Sequence, residues 1–158
     1  SIIQAHNLCY STMIHGRDLH LHPTLTQDDY ETFLLSGGPV HFVKKHKRES
    51  LLGRLLTVWL DKRREIRRAL AKCDDPSLKT ILDKQQLAIK VTCNAVYGFT
   101  GVASGLLPCI SIAETVTLRG RTMLEMSKSY VEALTPDELQ TRLRRAVHAG
   151  PSARFRVV

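Results

Sequence analysis

The chain has 158 residues, of which 43% are hydrophobic and 24% charged, so it is long enough for one domain with a substantial core and short for two. Its 23 Lys and Arg against 15 Asp and Glu give a net charge of +8, which indicates polyanionic partners such as nucleic acid, anionic lipid or nucleotide phosphates. No run approaches the roughly 20 apolar residues of a membrane span, and four scattered cysteines without a CxxC pair predict free, buried thiols.

The first part of the chain predicts a small β component. Residues 1–14 are mostly apolar and predict a short helix that runs into a strand. Residues 15–40 are rich in His, Asp, Thr, Gly and Pro, and two β-like runs, "YETFLL" and "VHFV", flank a Gly-Gly-Pro turn signal. This segment is therefore predicted to be a surface excursion that contains a hairpin. Its histidines lack a second ligand pair at fixed spacing, so a solvated loop is favoured over a metal site.

A long helix is predicted over residues 46–72. Apolar side chains recur there at spacings of three and four, or their multiples, at Leu52, Leu56, Trp59, Ile66 and Leu70. Arg63 interrupts this stripe, four residues after Trp59 and three before Ile66. The helix is expected to end at Asp74-Asp75-Pro76, and Ser77 is the predicted N-cap of the next helix.

A second helix is predicted over residues 78–97, and its short connection to the first makes the pair an antiparallel hairpin. Glycines at 98, 101 and 105 are expected to break this helix. Further helices are predicted over 108–134 and, more weakly, 136–147, followed by a strand over 154–158. The predicted fold class is α+β, mainly α, with a small antiparallel β component.

The second helix carries a polar stripe beside its apolar seam. At about 100° per residue, five side chains fall within one arc: Asp83, Gln86, Lys90, Asn94 and Tyr97. A solvated face is the usual explanation for such a stripe. The neighbours of Lys90 are nearly all apolar, however, so this turn is expected to be enclosed.

Arg63 needs a partner because it lies within an apolar stripe. One alternative is an ion pair with Asp83 or Glu65. The other is that Arg63, Arg67 and Lys90 face one anion together, since Arg binds phosphate oxygens bidentately and Lys adds a point charge. Three cations on two packed helices suit a triphosphate better than a monophosphate.

Several motifs in order resemble family B DNA polymerases. "KVTCNAVYGFTG", residues 90–101, resembles the KxxxNxxYG motif, and "SIIQAHNLCYST", residues 1–12, resembles the sequence that follows the first catalytic aspartate. "ILDKQQLAIKVTCNAVYGFTGV" and "GLLPCISIAETVT" are similar to herpesvirus replicative polymerases, and "HFVKKH" and "TILDKQQLAIK" favour the gamma subfamily. The resemblance covers nearly the whole chain and is weakest in 15–38 and 135–153.

The resemblance implies a role for each matching residue. Lys90 would contact the phosphates of the incoming nucleotide, and Asn94 would lie beside the triphosphate and sugar. Tyr97 and Gly98 would line the nascent base pair on its minor-groove side, where glycine lets the backbone approach.

The resemblance also implies the surroundings of the site. Arg63 and Arg67 would be the basic pair of the fingers that binds the triphosphate tail. Residues 1–46 would be palm with a variable insertion at 15–40, residues 47–98 the fingers, and 99–158 palm helices with a terminal strand. The partners would be primer-template DNA, dNTPs and a viral processivity factor, without a membrane, in the host cell nucleus.

The implied reaction is in-line attack of a primer 3′-hydroxyl on the α-phosphate with two Mg²⁺ ions. The chain begins and ends abruptly, so we expect a fragment that runs from just after one metal-binding aspartate motif to just before the next. No metal-binding or catalytic residue is therefore expected within it, and it should be inactive alone. The alternatives are a non-catalytic basic helical module that binds nucleic acid and a purely structural hairpin.

Overall fold

The computed structural model describes residues 1–105, 107–146, 150 and 153–158. The chain forms two compact units, Ser1–Thr117 and Leu118–Val158. No helix within the described ranges is long and apolar enough to cross a membrane. The mainly helical α+β class is confirmed, because five α-helices, two short 3-10 helices (Gly16–Leu21 and Gln27–Asp29) and three strands make up the regular structure of these ranges.

The β component of the first unit is a three-stranded antiparallel sheet in the order β1-β3-β2. A short helix, α1 (Ile2–Ala5), precedes the sheet. The strands are β1 (Met13–His15), β2 (Tyr30–Leu35) and β3 (Gly38–Val43). In the register, Phe33 faces Val40 on β3, and Ile14 of β1 faces His41. The predicted helix-then-strand start and the predicted hairpin are both confirmed.

Apolar side chains are buried on both faces of this sheet, since Phe42 and Val43 follow one another on β3 and point to opposite faces. Phe33, Val40, Phe42 and Val43 are buried, together with Leu8 from the loop that precedes β1. The rings of Phe33 and Phe42 meet edge to face with centroids 5.9 Å apart. The sheet therefore contributes a packed apolar core to the first unit.

The predicted helical hairpin is confirmed as α2 (Leu51–Lys72) and α3 (Pro76–Thr100). The apolar stripe of α2 faces inward as predicted: Leu56 is buried, and Leu52, Trp59, Ile66 and Leu70 are half-buried. The helix begins at residue 51 rather than 46 because the buried Ser50 is its N-cap. The Ser50 side chain accepts a hydrogen bond from the Gly53 amide at 2.8 Å.

Both ends of α3 differ from the prediction. Asp75, not Ser77, is the N-cap, and its carboxylate accepts hydrogen bonds from the Ser77 and Leu78 amides at 2.8 and 3.5 Å. The next residue is a proline at the first helical position, where its missing N–H costs nothing. At the other end the helix continues through Gly98 to Thr100, and Gly101 caps it.

The helix α4 (Ile110–Ala133) contributes its first two turns to the first unit and the rest to the second. In the second unit α5 (Pro136–Leu143) starts with a reciprocal capping box between Thr135 and Glu138. The predicted strand over 154–158 is wrong, because these residues have no strand partner within the described ranges. The predicted extension of α5 to residue 147 ends on a residue outside the described ranges.

Candidate functional site

The polar stripe of α3 faces α2 at the level of Arg63. The half-buried Arg63 donates from Nε to Oε1 of Gln86 at 3.1 Å. Gln86 in turn donates from Nε2 to Oδ1 of Asp83 at 3.0 Å. The arginine within the apolar stripe therefore finds its partner on the polar stripe of the neighbouring helix.

Of the two alternatives for Arg63, the ion pair with Asp83 or Glu65 does not form. Glu65 pairs with Lys62 at 3.1 Å instead, and Asp83 accepts from the Gln86 amide. Among the described residues, no carboxylate lies within ion-pair distance of Arg63. A neutral amide satisfies only one of the five guanidinium N–H groups, so the positive charge is left without a counter-charge.

The contact between Arg63 and Gln86 fixes the register of the hairpin. Because the helices are antiparallel, Lys90 lies one turn nearer the base of the hairpin than Gln86, and Arg67 one turn nearer the tip than Arg63. Each step is about 6 Å along the helix axis. Both Arg67 and Lys90 are exposed, and neither has a side-chain hydrogen bond or ion pair in the described part of the chain. Long, flexible cationic side chains can span such separations.

The hairpin as a whole carries excess positive charge. Residues 51–100 contain ten Lys and Arg against five Asp and Glu. Two of these carboxylates are already paired along α2, Asp61 with Arg64 and Glu65 with Lys62. The local field therefore favours an anion near the unpaired cations.

At the base of the hairpin lies an open cavity of about 300 Å³. Its lining is mainly apolar and comes from α1, α2, α3 and α4: Ser1, Ile2, Ile3, Leu56, Leu60, Cys93, Asn94, Tyr97 and Val116. The structure thus brings Asn94 and Tyr97 together at one cavity. Lys90, one turn above Asn94, lies outside this lining, as do Arg63 and Arg67.

Tyr97 lines this cavity, and with Gly98 it also forms an exposed surface at the cavity's edge. The Tyr97 side chain is 40% exposed, and its hydroxyl lies 3.3 Å from the hydroxyl of Thr117 on α4. A Cβ added at Gly98 would meet no atom within 4 Å, apart from the helix's own backbone, whereas one at Gly101 would contact Ala113 at 3.5 Å. The surface at Gly98 is therefore open, whereas the backbone at Gly101 lies within van der Waals reach of Ala113 on α4.

The expected enclosure around Lys90 is wrong. Its neighbours Ala88, Val91 and Ala95 are exposed, Val91 by 60%, and only Val96 is buried. The apolar residues of this turn are spread around the helix, so they cannot all face α2. Lys90 is consequently accessible to a ligand from solvent.

Sequence reasoning missed the contribution of α1 to the cavity and the role of Gln86 as the partner of Arg63. Residues 1–3 approach α3 only through tertiary packing, which leaves no periodicity in the sequence. Gln86 was visible as a member of the polar stripe, and its position one turn before Lys90 was the available signal.

The described residues offer no magnesium site. No group of three or more His, Cys, Asp or Glu side chains within these ranges is placed to hold a metal ion. Near the unpaired cations the nearest acidic side chain in the hydrogen-bond network is Asp83, and it is engaged by Gln86. These residues therefore do not fit the carboxylate ligation that Mg²⁺ requires.

A basic helical hairpin that follows a small antiparallel sheet, with its polar stripe leading into a cavity, matches the motifs found in the sequence. The sequence profile described as DNA polymerase family B matches residues 1–158. The chain belongs to this family, and the resemblance seen in its motifs is confirmed.

Several similar proteins come from herpesviruses. The chain is 75% identical over all 158 residues to the DNA polymerase catalytic subunit of Human herpesvirus 8 type P (isolate GK18), and 70% identical over the same length to that of Saimiriine herpesvirus 2 (strain 11). It is 67% identical over 141 residues, 89% of its length, to that of Epstein-Barr virus (strain B95-8). The chain spans 16% of the first two proteins and 14% of the third.

A solved structure shares the fold. The family B DNA polymerase from the hyperthermophilic archaeon Pyrobaculum calidifontis superposes with a TM-score of 0.64 and 25% identity, over 84% of this chain and 16% of that protein. Most of the fold of this chain is therefore shared with an archaeal member of the family.

Proposed function

We propose that the chain is part of a DNA-directed DNA polymerase, a nucleotidyltransferase that adds deoxynucleotides to a primer 3′ end in viral genome replication. This part would bind the triphosphate of the incoming dNTP and the nascent base pair. The observation that carries the proposal is the half-buried Arg63, held by Gln86 and without a carboxylate partner in the described ranges. Its neighbours in the hairpin register, Arg67 and Lys90, are likewise unpaired there.

Each site residue has a role in this proposal. Arg63, Arg67 and Lys90 would bind the phosphates and neutralise the charge that grows on the leaving pyrophosphate. Asn94 would lie beside the sugar and triphosphate, since it continues the polar stripe into the cavity. Tyr97 and Gly98 would support the nascent base pair.

The hairpin would act as the fingers, closing over a correct nucleotide, while residues 1–46 and 99–158 would belong to the palm. Charge on the hairpin supports this division, because Arg67 and Lys90 are exposed on the two helices that follow the sheet. The proposed partners are primer-template DNA, dNTPs and a viral processivity factor, and the proposed location is the host nucleus. The Mg²⁺ requirement rests on the family alone, since the described residues do not fit a Mg²⁺ site.

The proposal is tested with Lys90→Ala and Arg63→Ala in the full-length polymerase. Loss of one charge-assisted hydrogen bond is worth about 1.5–3 kcal/mol, so each change should raise the KM for dNTP about tenfold or more. The Kd for primer-template DNA should stay within about twofold of the wild type. Lys79→Ala is the matched control, because Lys79 is exposed on the same helix about three turns nearer the tip.

A second candidate is a non-catalytic basic module that tracks nucleic-acid phosphates, which the excess charge of the hairpin favours. Such a module predicts that the two substitutions raise the Kd for DNA. Any rise in the KM for dNTP would then be no larger than the rise in that Kd. A purely structural hairpin predicts an effect on stability alone. Weaker DNA binding with an unchanged dNTP KM would overturn the proposed function.

A further inference from the structure

A buried polar cluster joins the sheet to the start of α2, and Asn7 is at its centre. Asn7 is 6% exposed and has a φ of 53°, in the left-handed region that asparagine tolerates better than most residues. Its Nδ2 donates to the carbonyls of Val43 and Arg48, each at 2.7 Å. Its Oδ1 accepts from the amide of Ser50 at 3.0 Å. Every hydrogen-bonding atom of the side chain is thus engaged.

These bonds lead directly to the first turn of α2. Ser50 is almost completely buried, and its hydroxyl donates to the Leu8 carbonyl at 3.2 Å while it accepts from the Gly53 amide at 2.8 Å. Asn7 therefore holds the N-cap of α2, and that N-cap holds the helix. The origin of α2 is fixed to the end of β3 through one side chain.

A second contact fixes the direction of the helix. Gln4 of α1 donates from Nε2 to the hydroxyl of Thr57 at 2.8 Å, two turns into α2. Arg48 adds a contact on the loop before the helix, donating from Nη1 to the Ser11 carbonyl at 2.9 Å. Helix α2 is thus held at its start and again two turns later by the segment that precedes β1.

We propose that Asn7 is a positioning residue for nucleotide binding, which sets the direction of α2 and so the location of Arg63. This inference rests on the proposed function. Arg63 lies thirteen residues beyond Ser50, about 20 Å along the helix. A tilt of about 5° at Ser50 would move Arg63 by about 2 Å, enough to lose a hydrogen bond to a phosphate.

Asparagine is suited to this position because of its chemistry. It supplies two donors and one acceptor on a short side chain and tolerates a positive φ. Aspartate has nearly the same shape, but its carboxylate would face the carbonyl oxygens of Val43 and Arg48. Asn7→Asp is therefore expected to loosen the start of α2 without removing buried volume.

The test uses the full-length polymerase. Asn7→Asp should raise the KM for dNTP about tenfold, with kcat changed less and the Kd for primer-template DNA within about twofold of the wild type. Phe33→Leu is the control, because it weakens the packing of Phe33 on Phe42 in the same sheet. It should lower thermal stability and leave the dNTP KM unchanged. Thr57→Val is a milder second variant that removes the contact from Gln4, and it should raise the KM about two- to threefold.

A double mutant separates positioning from general damage. If Asn7 acts through Arg63, Asn7→Asp should raise the KM by a smaller factor in an Arg63→Ala background than in the wild type, since only Arg67 then remains on α2 to be misplaced. Fully additive effects, or an unchanged KM in both Asn7→Asp and Thr57→Val, would overturn the inference while Arg63→Ala still supports the proposed function. A normal dNTP KM in the Arg63→Ala enzyme would instead contradict the proposed function, and this inference would fail with it.

Discussion

At the scale of single residues, Lys90 and Asn94 lie one turn apart on the same stripe but have different surroundings. Both are exposed, but Lys90 has no partner in the described ranges, whereas Asn94 lines the mainly apolar cavity at the base of the hairpin. The Lys90 ammonium group keeps its water shell until a ligand replaces it. The Asn94 amide has few neighbouring polar groups with which it could form hydrogen bonds instead of with a ligand. The two residues are therefore suited to different parts of one ligand, its charged tail and its less charged body.

Asp29 shows how a carboxylate can stabilise the sheet. It is 5% exposed, and the backbone N–H of Thr26, the ring of His46 and the Thr26 hydroxyl all bond to it at 2.9 Å, with the Lys47 ammonium at 3.4 Å. These groups, the backbone N–H first, hold the pKa of Asp29 well below its usual range. The cluster ties the start of β2 to the loop that follows β3.

This shift predicts an acid-sensitive sheet. A carboxyl whose pKa is lower in the folded state stabilises the fold fully above its unfolded pKa of about 3.9, and the contribution falls as the pH drops below that value. Hydrogen-exchange protection of residues 30–43 in the full-length protein, corrected for intrinsic exchange, should therefore decrease from pH 5.5 to 3.5. Asp29→Asn should lower protection at pH 5.5 and flatten this dependence. The same pH dependence in the variant would show that other groups cause it.

At the scale of elements, the N-cap of α3 is the clearest disagreement between sequence and structure. Asp75→Ala should destabilise the first turns of α3 by about 1 kcal/mol, because it removes the acceptor for two amides. Ser77→Ala is the control and should change stability by less than about 0.5 kcal/mol, since this residue lies inside the helix. Hydrogen exchange of residues 76–85 in the full-length protein measures both. A larger effect at Ser77 would restore the original prediction.

Gly98 lies within α3 at a position where helix stability and the proposed function make opposite demands. Alanine favours a helix over glycine by about 0.5–1 kcal/mol, and the described protein atoms leave room for its methyl group. Gly98→Ala should therefore stabilise the helix slightly in hydrogen exchange. It should nevertheless reduce kcat/KM for dNTP about tenfold if the nascent base pair lies against this backbone.

The control for this prediction lies about one turn earlier in the same helix. Ala95→Gly removes a methyl group from an exposed position of the same helix. It should lower helix stability by about 0.5–1 kcal/mol with little effect on kcat/KM. Unchanged catalysis in Gly98→Ala would mean that no substrate approaches this part of the backbone.

At the scale of the whole molecule, the net charge of +8 is consistent with two different uses of the cations. Cations that contact DNA phosphates each contribute to the salt dependence of DNA binding, whereas cations reserved for a nucleotide do not. Arg67→Ala in the full-length polymerase should therefore leave the slope of log Kd for primer-template DNA against log salt unchanged. A slope shallower by about 1 would assign Arg67 to the DNA backbone instead.

Much of the architecture was readable from local patterns. The helical hairpin followed from apolar spacing and a Pro-containing connection, and the β-hairpin followed from two short runs around Gly and Pro. The errors arose where local rules compete. Asp75 and Ser77 are both good caps, and Pro76 at the first helical position selects Asp75. Gly98 resembles a stop signal, but a helix tolerates one glycine when its flanking turns are well formed.

The site divides in the same way. The stripe that contains Lys90, Asn94 and Tyr97 is fixed by helix periodicity, so the sequence alone could predict it. The contact of Arg63 with Gln86 could not be predicted from the sequence, because Asp83 or Glu65 would equally have supplied the acceptor that a half-buried guanidinium needs. Asn7 gave no signal, since a buried asparagine and an exposed one look alike in a sequence.

By itself, the sequence determined the family, the helical hairpin, the order of the polar stripe and the excess of positive charge. These depend on residue types at fixed spacings, which a regular helix converts directly into geometry. Only the tertiary structure decided which partner Arg63 takes, that Lys90 is open to solvent, that α1 lines the cavity and that Asn7 holds the start of α2. Those features depend on contacts between segments that are distant in the chain. Packing of these segments determines which of several possible partners each side chain contacts.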